Sequence, residues 1–529
     1  MLSTETHDTH RSWVVGFGGL LVAFAGLYAL PLTRSYVLYT SLGADQFVHL
    51  GTVQDLLETG RLARLQYPGG YLVTASLGFT TGATLESLVP VLAFLFSTLF
   101  TGLLGACVWS LTKKRTLVLT TLLASFPLYF ASHRFFFMPY LFALSPVPLL
   151  VMTAHLYLRS GRRKQVGPYL LAAVACTFYH PLTMLFGLLM VAGYFAVYRD
   201  VSNVSLTGPE TTLLSVSAMI VLSWYIIGGI LDHHLHTVGV RLLGQTTGAI
   251  KTTSQAGGFG LWHTMILLLE NFGVLLALFS LGGIVVVHIL WRRGAGSATK
   301  FEWFVASQFV IAGGVSTVFF IARVWSLNVP RITQYLILIA IMSVGVGLSR
   351  ARTWAGQRST LAVRAVSVCI VALIVTLTLF SAGVAYDDGK HLTEATVSGY
   401  GWTLDEKAAE DPILLDSPRD TFAFYHYGYT STITDKSKQR IFGHSDPPHR
   451  YGYADNETIG SAMGPDAPDT YLVIRDADTD RYHTRPEWQQ EQMTHYYTET
   501  DRERALNDPT VNYIYANGEM DVLLAEGDD

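Results

Sequence analysis

The sequence predicts a polytopic all-α membrane protein of about 11 transmembrane helices with a small extracytoplasmic α+β domain at its C-terminal end. Three observations predict it. Half of the 529 residues are hydrophobic and only 14% are charged, too oily a composition for one soluble domain. Apolar runs of bilayer length recur from Trp13 to Tyr386 and then stop. Charge divides at the same point: 24 basic and 11 acidic residues up to Tyr386, then 12 basic and 29 acidic over the remaining 143 residues.

In order, the predicted crossings are Trp13 to Leu32, Leu85 to Leu111, Thr116 to Ala131, Pro139 to Leu158, Pro168 to Tyr179, Leu182 to Tyr198, Thr211 to Leu231, Asn271 to Trp291, Glu302 to Trp325, Ile332 to Leu348 and Leu361 to Tyr386. The first run is long and lacks a small-residue cleavage site, so it reads as a retained helix and not a removed signal. With the N-terminus inside, Lys113-Lys114-Arg115, Arg162-Arg163-Lys164, Arg199, Arg292-Arg293 and the run from Arg350 to Arg358 all fall in the cytoplasm, as the positive-inside rule requires. The tail is then outside. Reading Pro168 to Tyr198 as one helix broken at Pro181 would invert everything downstream.

The inner loops are short, whereas two outer ones, 33–84 and 232–270, are long. Both contain segments with helical potential, Asp45 to Thr59 and Leu261 to Glu270, expected to lie along the membrane surface. The chain thus divides into a transmembrane domain over 1–386 and an acidic, extracytoplasmic soluble domain over 387–529. In the tail, "ILLD" from Ile413 and "YLVIR" from Tyr471 read as strands, and Asn517-Gly518 joins two further runs in a hairpin. Its few lysines and many carboxylates favour hydration at high salt and suit a halophilic source. Cys107, Cys176 and Cys369 all lie in predicted crossings, so the tail has neither disulfide nor thiolate metal site. Its sequon, Asn456-Glu457-Thr458, falls on the outer side.

Polar groups gather at the outer boundary. On a helix starting near Asp45, residues His49, Thr52 and Leu56 share the aspartate's face, with Phe47, Leu50 and Gln54 opposite. His133 and Arg134 end the third crossing, His180 sits at the turn between the fifth and sixth, and Arg323 and Arg331 bracket the loop between the ninth and tenth. Gln334 and Tyr335 follow Arg331 one turn inward. Arginines on that face run against the usual loop bias and suit bidentate hold of a lipid phosphate. The bland alternative for each is snorkelling; for Asp45 it is a helix-capping carboxylate, and for His49, packing. Asp232, His233 and His236 in "DHHLH" offer metal ligands, although neighbouring histidines at a helix end are commonly interfacial. Asp476, Asp478 and Asp480 lack the glycine and bidentate glutamate of a cation loop.

A first helix, a long outer loop opening with Gly43-Ala44-Asp45 and His49, then Tyr67-Pro68-Gly69-Gly70, many further crossings and an extracytoplasmic tail: in these features the chain resembles the GT-C membrane glycosyltransferases, and in style the archaeal dolichyl-phosphate-mannose mannosyltransferases. Tyr71 stands where many related chains place a histidine. The resemblance implies a GT-C-like fold and a hexosyltransferase, mannosyltransferase-like, that moves one sugar from a polyprenyl- or dolichyl-phosphate carrier to a glycan or glycoprotein acceptor in surface-protein glycosylation. It implies that Asp45 acts as base or helps hold a divalent cation such as Mg or Mn, with His49 beside it. Arg331, Arg134 and Arg323 would meet the donor phosphate, and Tyr67, His133, His180 and Tyr335 would line the pocket. The expected partners are the lipid-linked donor, the acceptor and the membrane lipids, with no nucleic acid. No Trp-Trp-Asp occurs in the tail and no Asp-x-Asp in the first outer loop, which disfavours transfer of a whole glycan to asparagine.

The short inner loops agree from another direction: they cannot fold a nucleotide-sugar domain, so the sugar must arrive on lipid. A transporter or flippase of lipid-linked sugars is the competing class. It calls for charge near the bilayer midplane, where the predicted helix centres have almost none.

Overall fold

The computed structural model describes residues 2–29, 36–39, 45–127, 137–160, 163–198, 208–231, 261–292, 298–322, 329–385, 391–407, 411–414, 422–435, 438, 449–453, 455–463, 468–477 and 497–526. Helix α1 (Leu2–Ala29) is followed by strand β1 (Tyr36–Tyr39) and helices α2 (Asp45–Thr59), α3 (Pro68–Thr81), α4 (Leu85–Thr112), α5 (Arg115–Ser125), α6 (Pro139–Leu144), α7 (Pro146–Ser160), α8 (Val166–Tyr179), α9 (Pro181–Tyr198) and α10 (Pro209–Ile227). Then come α11 (Leu261–Trp291), α12 (Lys300–Ala322), α13 (Val329–Gly356) and α14 (Thr360–Ala385). Among the described residues eight helices, with α6 and α7 counted as one, are long and apolar enough to cross a bilayer, and α1, α5 and α8 contribute shorter apolar stretches. Each predicted crossing coincides with one of them. The chain is a multi-pass membrane protein.

The break at Pro181 is a reversal. His180 is extended (φ −164°, ψ 103°), so α8 ends there and Pro181 starts α9. Cys176, in the last turn of α8, reaches the Ala143 carbonyl at the start of the α6–α7 pair, and His180 lies against Tyr140. At the other end of α9, Tyr194 meets His155 near the end of α7. Hence α8 runs antiparallel to α7, and α9 runs back alongside it. The bundle interior is tight where α13 meets α5: a Cβ on Gly345 would come within 2.8 Å of the Thr121 Cα, and the Thr120 hydroxyl donates to the Gly345 carbonyl at 2.8 Å.

Basic groups collect at the end of the bundle where α4, α7 and α9 finish. Lys113 and Arg159 flank His155 there, Lys300 donates to the Tyr198 carbonyl, and Arg350 pairs with Glu302 at 2.6 Å between α13 and α12.

The tail begins with strand β2 (His391–Thr393), which pairs antiparallel with β1, so the segments after the first and the last crossing are stitched together. Helix α15 (Glu394–Glu406), strand β3 (Ile413–Leu414), short helices α16 (Phe422–Tyr427), α17 (Tyr429–Thr434) and α18 (Ile459–Met463), strand β4 (Thr470–Arg475), helix α19 (Glu499–Leu506) and strands β5 (Val511–Ala516) and β6 (Met520–Ala525) follow. The four-stranded sheet runs β3-β4-β6-β5, parallel at its first pair and antiparallel thereafter. The β5–β6 turn is the expected hairpin: Gly518 takes φ 86°, and the Asn517 side chain accepts from the Glu519 and Met520 amides.

Two expectations about the outer loops are corrected. Leu261 to Glu270 is no separate surface helix but the continuous beginning of α11. Nor is α2 an exposed surface helix. Phe47, Leu50, Val53 and Leu56 are buried, as are Gln46, His49, Thr52 and Asp55 between them, because one apolar core joins α2, α3 and the first turns of α4 to Leu392, Tyr400, Phe422 and Val522 of the tail. A helix enclosed on all sides shows no clean apolar stripe. A smaller core around Tyr451, Ile474, Tyr497 and Leu523 completes the tail.

Candidate functional site

The segment quoted as Tyr67-Pro68-Gly69-Gly70 has a geometric reason for each residue. Pro68 opens α3, where its missing N–H is no loss. Gly69 lies against the end of α8, where a Cβ would sit 2.9 Å from the Tyr179 ring and 3.1 Å from the Phe178 carbonyl carbon. Helix α3 can therefore dock at the α8–α9 reversal, which brings Tyr67 onto His180, the rings stacked at 5.1 Å and 25°.

His49, one turn into α2, meets this seam from the other side. Its Nδ1 lies 2.7 Å from the Tyr71 hydroxyl, and Tyr67 stands edge-on to its ring at 5.8 Å. His180 continues the chain: Nδ1 is 2.9 Å from the Thr183 hydroxyl, which donates to Gln334 Oε1 at 2.7 Å. Tyr140 closes the far side of His180 edge-on at 6.0 Å. A polar relay thus runs from α2 through α3 and the α8–α9 reversal to the first turns of α13. His49, Tyr71, Tyr140, His180, Thr183 and Gln334 are all buried, while Tyr67 is only half-buried. Every member of the relay is a neutral polar or imidazole side chain, and the basic groups described above belong to the opposite end.

Of the residues singled out from sequence, His49, Tyr67 and His180 come together. Asp45 and Arg331 occupy the first turns of α2 and α13, one turn before His49 and Gln334 respectively; their side chains lie outside the described residues. His133, Arg134, Arg323, Asp232, His233 and His236 also lie outside them. Tyr335 turns away from the relay, stacking on Phe186 at 5.4 Å and donating to Gln308 between α9 and α12. Among the described residues no three metal-ligating side chains meet, and the two imidazoles alone do not make a cation site.

Sequence reasoning missed Tyr140 and Thr183, and it noted Tyr71 only as a departure from the family pattern, with no role. The signal for Thr183 was present: His180-Pro181-x-Thr183 is a helix start, with the third residue inside returning to the cap. Tyrosines inside apolar helices read as core, and nothing local marks Tyr140 or shows that the Tyr71 hydroxyl meets His49.

No family model matches the sequence, and no curated protein matches it. Among solved structures, the chain is similar over 97% of its length to 98% of ArnT from Cupriavidus metallidurans bound to undecaprenyl phosphate, at 11% identity and a TM-score of 0.48. It is similar over 98% of its length to the arabinofuranosyltransferase AftD from Mycobacteria, of which it spans 40%, at 13% identity and a TM-score of 0.45. Both scores fall below 0.5, too low to tie the chain to either protein.

Proposed function

We propose that the chain is a GT-C-like glycosyltransferase that moves a single sugar, mannose, from a polyprenyl- or dolichyl-phosphate carrier to a glycan or protein acceptor at the outer membrane boundary. The observation that carries this reading is the relay from His49 to Gln334. It gathers polar side chains from four separate elements at the end of the bundle away from the basic groups, beside the first turns that bear Asp45 and Arg331.

In the proposed reaction Asp45 takes the proton of an acceptor hydroxyl as that oxygen attacks the anomeric carbon. The carbon–oxygen bond to phosphate breaks, and Arg331 holds the departing polyprenyl phosphate through two parallel hydrogen bonds. Tyr71 occupies Nδ1 of His49, so proton exchange at that ring runs through Nε2. Half-buried Tyr67, braced between two imidazoles, offers its ring to the sugar. No step is routed through a metal.

General-base help is worth about 10² to 10⁴-fold, or roughly 3 to 5 kcal/mol of barrier. Asp45→Asn should therefore nearly abolish transfer from dolichyl-phosphate mannose in membranes while inserting and folding normally; turnover like the wild type contradicts the assignment. Arg331→Lys keeps the charge and loses the planar fork, so donor binding should weaken about tenfold with transfer reduced and not eliminated. Unchanged donor affinity makes Arg331 a snorkelling residue. Lipid-flipping assays in the same vesicles separate this reading from transport: a flippase moves the carrier across the bilayer with no acceptor present.

A further inference from the structure

We propose that the C-terminal domain is part of the transfer site, because its α16–α17 pair fixes α2 and thereby aims Asp45 and His49, with Gly51 and Asp55 as the positioning residues. This rests on the transfer reading above. Helix α2 has two working faces. His49 looks toward Tyr67 and Tyr71, while Phe47, Gly51, Gln54 and Asp55 look toward the tail.

Four contacts on that second face are independent of one another. Glycine weakens a helix interior, so one there needs a reason. A Cβ on Gly51 would overlap the Phe424 carbonyl oxygen, come within 2.8 Å of its carbon and lie 3.1 Å from the Tyr429 nitrogen. The α2 backbone therefore rests directly on the α16–α17 backbone. One turn further, Asp55 Oδ2 accepts from the Thr430 amide at 2.8 Å and the Thr430 hydroxyl at 2.6 Å. The residue that opens α17 is Gly428, with φ 81° and no side chain to cap its own helix, so the buried carboxylate of α2 supplies the acceptor. Gln54 donates to the His426 carbonyl at 3.3 Å, and Phe47 meets Phe422 edge-on at 5.5 Å. The same pair is moored to the bundle by Tyr425, whose hydroxyl donates to Glu86 in the first turn of α4. The tail thus clamps α2 from the side away from the relay, while the bundle holds the tail.

A displacement of about 1 Å at a reacting group costs on the order of 10²-fold in rate, so loosening this clamp should act on turnover more than on binding. The test uses the full-length protein in proteoliposomes with dolichyl-phosphate mannose and an acceptor glycan. Gly51→Ala and Asp55→Ala are expected to lower kcat by about tenfold to a hundredfold, with the donor KM within about twofold of wild type, and to speed hydrogen exchange of the amides from Val48 to Leu56. Thr430→Val should do so more weakly and Thr430→Ser not at all. Asp508→Asn, which disturbs the tail's second core away from α2, should leave exchange in α2 unchanged.

Loss of activity in Asp55→Ala with α2 exchange as in wild type overturns the positioning role, as does faster exchange with kcat unchanged. If Gly51→Ala fails to insert, the Thr430 pair carries the same comparison. A wild-type protein that transfers no sugar, with α2 exchange still responding to Asp55→Ala, overturns the functional reading and leaves only a structural clamp.

Discussion

The two ends of the bundle contain the same small pairing, a buried histidine whose Nδ1 meets a buried tyrosine hydroxyl, in opposite settings. His49 and Tyr71 meet at 2.7 Å, His155 and Tyr194 at 2.8 Å. Around His155 stand Arg159, Lys113 and the buried Glu210, beside a cleft of about 410 Å³ walled by Tyr157 and Tyr198. Around His49, among the described residues, are aromatic rings and the Tyr71 hydroxyl, covered by the tail. On the proposed reading charge alone would send an anionic donor to the wrong end, since the cations at the His155 end include members of the clusters that the positive-inside rule predicts to be cytoplasmic. The pairing by itself is a packing device. At the His49 end the pair continues through the half-buried Tyr67 ring to His180, Thr183 and Gln334, and on the proposed reading these elements meet around one substrate.

Matched substitutions at the two ends test this difference most strongly. His49→Asn strands the equally buried Tyr71 hydroxyl and should lower stability by about 1 to 3 kcal/mol while also reducing transfer by about 10² to 10⁴-fold. His155→Asn strands the Tyr194 hydroxyl in the interior and should lower stability by about 1 to 3 kcal/mol, with kcat within about threefold of wild type. Sugar transfer and thermal melting on the same two preparations decide between them. Equal catalytic losses at both ends would erase the distinction.

The tyrosine halves of the two pairs give a milder comparison. Tyr71→Phe removes the hydroxyl that orients His49 and should lower kcat about tenfold, which corresponds to about 1.4 kcal/mol, while Tyr194→Phe at the other end should move stability alone.

Why one end was readable from sequence and the other half of its site was not follows from range. The crossings are written locally, as apolar runs of bilayer length, and the Asn517-Gly518 hairpin as two-residue turn chemistry. The β1–β2 pairing is not: its short strands follow the first and the last helix of the transmembrane region, so Tyr36 and Thr393 are partners from distant parts of the chain. Helix α2 misled for a related reason. Its polar residues mark a surface helix until the tail covers them, and Gly51 and Asp55 make sense only against Phe424 and Thr430. His49 and His180 could be singled out because they are polar at a predicted boundary, and Tyr67 through the resemblance that Tyr67-Pro68-Gly69-Gly70 carries. Tyr71 was noted only as a departure from that pattern; its bond to His49 was not legible, since a tyrosine in an apolar helix has an ordinary use in the core.

The smallest effect concerns acid, and it too should strike one end first. In the tail, burial would lift the carboxyls of Asp501 and Asp508, but hydrogen bonds outweigh it: the Arg450 fork and the Thr498 cap on Asp501, and the Thr510, Ile459 and Tyr453 donors on Asp508, hold both below the usual carboxylate range. The unfolded chain therefore takes up protons first, at an ordinary aspartate value of about 3.9. Stability from these groups is complete above that value and is lost as pH falls through the lower folded values. Protection factors of the β4 and β6 amides, that is, exchange corrected for its intrinsic pH dependence, should stay flat from neutral pH down to about 4.5 and fall below about 4, with the helices at the His155 end following later or not at all. Asp501→Asn should flatten that acid limb while making the tail less protected at neutral pH. An acid response that starts at the His155 end and reaches the tail last would mean that these two carboxylates do not govern it.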